Sequence, residues 1–189
     1  MRKIEIEEFI PEVAVEVHSA PFPTIEEAIR KTIIRFCRDT LAWREQLSPV
    51  YCAEGTTDAL VLLPRETQIH MLLKVERDGN PFEDFEFEMP DTLILSNEPS
   101  EAFDLEIKAA LAPSFDARTV PRIFYDRHRN VIAHGARSEL MAMSASAWAN
   151  PSMSQHYWSL YKRAVAREKI GRVKGYTNKS LRVKSRRFV

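Results

Sequence analysis

Five histidines (His18, His70, His128, His134, His156) and two cysteines (Cys37, Cys52) are the side chains best suited to metal binding or nucleophilic chemistry. No HxxH or HExxH pair occurs, and neither cysteine stands near a histidine at metal-ligand spacing. His128 and His134 are six residues apart, which on a helix turns them toward different faces. The cysteines form neither a CxxC pair nor a secreted disulfide framework, so two reduced, partly buried thiols are expected. Oxygen-bearing side chains crowd the stretch from Asp78 to Glu88, but the alternating register and terminal glutamate of a calcium loop are missing. A hairpin turn followed by a solvated strand is the better reading. GxGxxG, GxxxxGK[ST] and GxSxG are all absent. No catalytic, metal-binding or cofactor-binding residue is therefore assigned, and the expectation is a protein that is not an enzyme.

A binding chemistry is more visible. From Gly171 to Val189 the chain carries seven basic side chains and no acidic one. They are Arg172, Lys174, Lys179, Arg182, Lys184, Arg186 and Arg187, interspersed with Tyr176, Leu181, Val183 and Phe188. Lysine and arginine total 27, as do aspartate and glutamate, so residues 1–170 must hold the balancing excess of negative charge. A segment so poor in apolar residues cannot offset its own ordering entropy, and something outside it must order it. Two partners fit. Nucleic acid would be held by counterion release. A protein groove would instead receive Leu181, Val183 and Phe188 as anchors, which a purely phosphate-binding tail does not need. The aromatic cluster Trp148, Tyr157, Trp158 and Tyr161 could likewise stack on bases, although its helical spacing favours packing. Trp148 and Trp158 are candidates for contact with a neighbouring subunit.

These residues need a scaffold. Thr24-Ile25-Glu26-Glu27 reads as a capping box, and Ile29, Ile33, Phe36, Cys37, Thr40, Trp43 and Leu47 recur at helical spacing, which predicts a helix over 24–47. Apolar runs at 59–63, 69–75, 92–95 and 103–109, with alternation through Phe85, Phe87 and Met89, predict strands. Asp78-Gly79-Asn80-Pro81 is a turn. Between Glu76 and Ile107 eleven acidic residues face one arginine, so the outer face of this β unit is acidic. After Pro121, the stripe Tyr125, Ile132, Ala136, Leu140 and Met143 predicts a second helix. Gly135 within that stripe either costs about 1 kcal/mol against alanine or permits a close helix approach. A third helix begins near Ser152, with Met153, Tyr157, Leu160, Tyr161, Ala164 and Val165 on its apolar face, and fades near Gly171. The predicted fold is α+β: a helical bundle with an inserted small β-rich domain and an extended C-terminal arm. Its parts are residues 1–55 (first segment and bundle helix), 56–112 (β insert), 113–171 (remaining bundle helices) and 172–189 (arm).

With 44% apolar residues in 189, the chain can bury a sizeable core. No apolar run approaches the roughly 18 residues needed to span a bilayer. The opening Met1-Arg-Lys-Ile-Glu-Ile-Glu-Glu-Phe is too polar for a signal peptide. A soluble protein without a membrane partner is expected.

The run Phe9-Ile10-Pro11-Glu12-Val13, then Pro21-x-Pro23, then Ala28-Ile29-Arg30 and Phe36-Cys37-Arg38-x-Thr40-x-x-Trp43-Arg44, resembles the start of small structural proteins of tailed bacteriophages. The later run Asn130-Val-Ile-Ala-His-Gly-Ala136, Leu140, Trp148-Ala-Asn-Pro151, Tyr161-Lys-Arg-Ala164 and Ala166-Arg167 resembles their second half. The similarity covers most of residues 9–171 and leaves the β insert unmatched. Those proteins are head-to-tail adaptors, also called connector or neck proteins. The resemblance implies a virion neck component assembled in the host cytoplasm as a homo-oligomeric ring, twelve-fold in the family. It further implies docking beneath the portal protein through the arm, contact with a downstream tail or neck protein, and a channel that DNA crosses without sequence-specific binding. The alternative is a nucleic-acid-binding protein that uses the basic arm.

Overall fold

Pro21 stands in an extended conformation (φ −61°, ψ 140°) and its carbonyl accepts from the amides of Thr24 and Ile25, which starts the longest helix of the first half. The computed structural model of the protein describes residues 2–173. In chain order these form β1 (Lys3–Glu5), a 3-10 turn (Ile6–Phe9), α1 (Ile10–Ala14), α2 (Phe22–Thr40), β2 (Trp43–Gln46), β3 (Val50–Cys52) and β4 (Asp58–Leu60). There follow β5 (Thr67–Arg77), β6 (Asn80–Pro81), β7 (Phe85–Glu88), β8 (Thr92–Leu95), β9 (Phe103–Pro113), β10 (Thr119–Pro121), α3 (Ile123–Met141) and α4 (Pro151–Val173). The fold is α+β, with every sheet pairing antiparallel.

α2 differs from its predicted span at both ends. Thr24 lies inside the first turn and makes no cap, because Pro21 precedes the helix, and Glu27 pairs with Arg30 and Lys31 instead. At the other end Leu41 adopts the left-handed conformation (φ 50°), its amide donating to the Cys37 carbonyl at 2.7 Å. Trp43 and Leu47 therefore leave the helix; Trp43 begins β2. A spacing of four satisfies both a helical turn and two strand repeats, so the pattern could not separate them.

β9 organises the sheet. Its first half, through Leu105 and Ile107, alternates buried with exposed residues, as a strand with one wet face does. From Ala109 to Pro113 every residue is buried, because α2 packs over that half. Alanines at 109, 110 and 112 let the helix approach. On one edge β9 pairs with β3 (Cys52 opposite Phe103) and β2 (Trp43 opposite Leu111), and on the other with β5. A second sheet has the order β4-β8-β7, and β1 pairs with β10 as a short ribbon.

The acidic segment after β1 is packed rather than loose. Ile6, Phe9, Val13 and Val17 are buried, and Phe9 meets Tyr125 edge-to-face at 5.1 Å. These residues join Ile25, Ile29, Ile33 and Phe36 of α2, Ile132, Ala136 and Leu140 of α3, and Leu105, Ile107 and Leu111 of β9 in one continuous apolar core. Each of the larger of these side chains contributes about 1.5–3 kcal/mol by leaving water.

Gly135 settles the question its position raised. A Cβ there would collide with Thr32 Cγ2 and come within 3.0 Å of Tyr161, so α2, α3 and α4 meet at a point where only hydrogen fits.

Candidate functional site

α4 carries most of the residues singled out for binding. The Asn150 side chain caps it, accepting from the Met153 amide at 3.1 Å, and the helix starts at Pro151, one residue before the expected Ser152. Tyr157, Tyr161 and Val165 then turn inward and are buried. Trp158, one residue off that stripe, is half-buried. Its ring stacks on Tyr161 (5.3 Å between centroids, 15° apart), and the Arg35 guanidinium stands 5.5 Å from its centroid. Lys162 approaches the same ring at 5.8 Å. Trp148 is half-buried beside Val17, His18 and Met141, its indole nitrogen without a hydrogen-bond partner among the described residues.

Arg172 lies in the last turn of α4, half-buried, not in an extended segment, because the helix continues through Gly171 to Val173. The other predicted arm residues, Lys174, Tyr176, Lys179, Leu181, Arg182, Val183, Lys184, Arg186, Arg187 and Phe188, lie outside the described residues.

Exposed charge is unevenly divided among the elements. On α4, Lys162, Arg163, Arg167 and Lys169 are exposed, with Glu168 the helix's one acid, and α3 adds Arg127 and Arg129. In the β unit, Asp78, Glu83, Asp84, Glu86 and Glu88 are exposed. The arginine of that segment, Arg77, is occupied locally: its guanidinium stacks on Phe103 at 4.1 Å and donates to Glu101 at 2.9 Å.

Two surface features escaped the sequence. The first is a cleft of about 630 Å³ where α2, α3 and α4 converge, lined by Phe36, Phe124, Val131 and Ala164 together with Arg127, His128, Arg167 and Glu168. Burial holds the His128 imidazole below its usual pKa, so this wall is neutral at pH 7 while the arginines are charged. The second is the tip of the β4-β8-β7 sheet, where Leu60, Leu62 and Met89 are 59%, 61% and 64% exposed. Leu60 lies opposite Thr92, which lies opposite Glu88, so all of these sit at one end of the sheet. The only available signal, period two, is silent in an all-apolar run such as Ala59-Leu-Val-Leu-Leu63.

Cys37 and Cys52 are free and buried, and burial raises both thiol pKa values, that of Cys37 far above its usual range. Among the described residues no three of His, Cys, Asp or Glu converge as a metal-binding group. Among them, too, no helix is long and apolar enough to cross a membrane. A comparison with protein-family models finds no match, and a comparison with curated proteins finds none either.

Proposed function

We propose that the protein is a structural head-to-tail adaptor of a tailed bacteriophage, a ring subunit that docks beneath the portal and joins it to downstream neck or tail proteins. In this reading α2, α3 and α4 are the bundle, and residues 56–112 are a β-rich insert whose last strand is built into the bundle core. The C-terminal arm from 174 onward leaves the basic end of α4. The observation that carries the reading is the uneven charge: exposed cations on α3 and α4 and exposed carboxylates between Asp78 and Glu88 are two non-identical surfaces of opposite sign. Such faces close a ring, and an acidic lining would repel passing DNA.

Two measurements test it. Negative-stain imaging of the purified protein, alone and with portal, should show rings. Deleting residues 174–189 should abolish portal binding; binding that survives the deletion removes the arm from the interface. The exposed row Lys162, Arg163, Arg167 and Lys169 favours a second reading, nucleic-acid binding. A monomer whose DNA affinity falls steeply with salt would promote it.

A further inference from the structure

The three-helix cleft and the tip of the β4-β8-β7 sheet are both apolar and carry opposite net charge. The cleft, about 630 Å³, is lined by the apolar Phe36, Phe124, Val131 and Ala164 and by Arg127, Arg167 and Glu168, so its charged lining is net positive. Neither arginine makes an ion pair with a described residue. The tip exposes the apolar Met89, Leu60 and Leu62, near exposed Glu86 and Glu88 and half-buried Asp91. An exposed apolar patch with a charged rim marks a binding surface, and methionine is the side chain best able to fill an irregular pocket.

We propose that the sheet tip of one copy seats in the three-helix cleft of the next, Met89 meeting the apolar lining while Glu88 and Asp91 face Arg127 and Arg167. The contact is heterologous, since the cleft and the tip are different surfaces of the same chain, and repetition propagates it from copy to copy. It rests on the reading of the chain as a ring subunit and names the faces that join. Charge selects the occupant. The chain's own residues 174–189 contain only basic charges, which the cleft's two arginines repel. The acidic tip is attracted to the same arginines, and such complementarity also fixes the register of docking.

Charge exchange tests the pairing. R127E/R167E should weaken self-association about tenfold or more, read by analytical ultracentrifugation. Adding E88K and D91K to that same chain reverses both faces and should restore assembly, which also shows that the variant folds. Independently, M89C with A164C should yield a ladder of disulfide-linked oligomers that collapses with reductant. Assembly unaffected by R127E/R167E, together with no ladder, overturns the proposal while leaving the ring reading intact. A wild-type chain that stays monomeric overturns the ring reading itself, and the proposal with it. Cross-linking of A164C to F188C within one chain, in place of the ladder, identifies the chain's own C-terminal segment as the occupant and likewise overturns it.

Discussion

Ser138 of α3 and Ser154 of α4 exchange hydrogen bonds: the Ser138 hydroxyl donates to the Ser154 carbonyl at 3.0 Å, and the Ser154 hydroxyl donates to the Ser138 carbonyl at 2.8 Å. Both residues are buried, so the exchange clasps the start of α4 against the end of α3 in a place water does not reach. Replacing either by alanine removes one donor and leaves a carbonyl with less hydrogen bonding, which costs about 1–3 kcal/mol. S138A and S154A should each lower the thermal midpoint, and the double variant should cost less than their sum, because the two bonds form one unit. A strictly additive double-mutant cycle would show that the bonds act separately.

The helix crossing one turn earlier on α3 makes a sharper claim. Gly135 to alanine would raise helix propensity by about 1 kcal/mol, yet the new methyl group would meet Thr32, a β-branched side chain with little freedom to turn aside. Overpacking of this kind costs about 1–3 kcal/mol, so G135A should destabilise the protein on balance. Thr32 carries a buried hydroxyl with no partner among the described residues, so trimming it forfeits no hydrogen bond there. T32A combined with G135A should therefore recover most of the loss in a denaturant titration. An equal loss with and without T32A would place the clash elsewhere.

The apolar stripes of α3 and α4 could be read directly because Tyr125 and Ile132, and Tyr157 and Leu160, lie an odd number of residues apart, which would put them on opposite faces of a strand but puts them on one face of a helix. Trp43 and Leu47 could not, since their separation is common to helix and strand. β9 was read as ending near Ala109, but it runs to Pro113. The run Ala109-Ala-Leu-Ala-Pro113 has no alternation to follow, because α2 buries it on the side that would otherwise be wet. The cleft is invisible to local patterns for another reason. Phe36, Phe124 and Ala164 come from three distant helices, and only their packing brings them to one lining.

Glu66 ties the start of β5 to the ribbon strand β10. Its carboxylate accepts from the Thr119 hydroxyl, from the Thr119 amide at 3.2 Å and from the Arg118 amide at 3.4 Å. The Thr119 hydroxyl is the main reason its pKa lies below the ordinary glutamate value. A carboxylate whose folded pKa is depressed contributes stability above its unfolded pKa, and that contribution vanishes as pH falls through the folded value. The stability gap between wild type and E66Q should therefore be widest near neutrality. It should close as pH drops below about 4. A gap that widens in acid would mean that the protonated form is the one these donors favour, contrary to the geometry.

Separating fold from docking requires a change that touches only one. The buried apolar residues among those described run from Ile4 to Val165. Beyond Val165, α4 exposes Ala166, Arg167, Lys169 and Ile170 and contributes no buried side chain up to Arg172. A chain ending at Val173 keeps all of these contacts. Removing residues 174–189 should change stability by no more than a surface substitution does, about 0.5 kcal/mol. In a domain of this size that shifts the melting temperature by about 2 °C or less. The same truncated chain should fail to bind portal. Differential scanning calorimetry beside a portal pull-down reads both quantities from one preparation. If the midpoint falls far with truncation, the segment serves the subunit's own fold, and a loss of portal binding then says nothing about an arm.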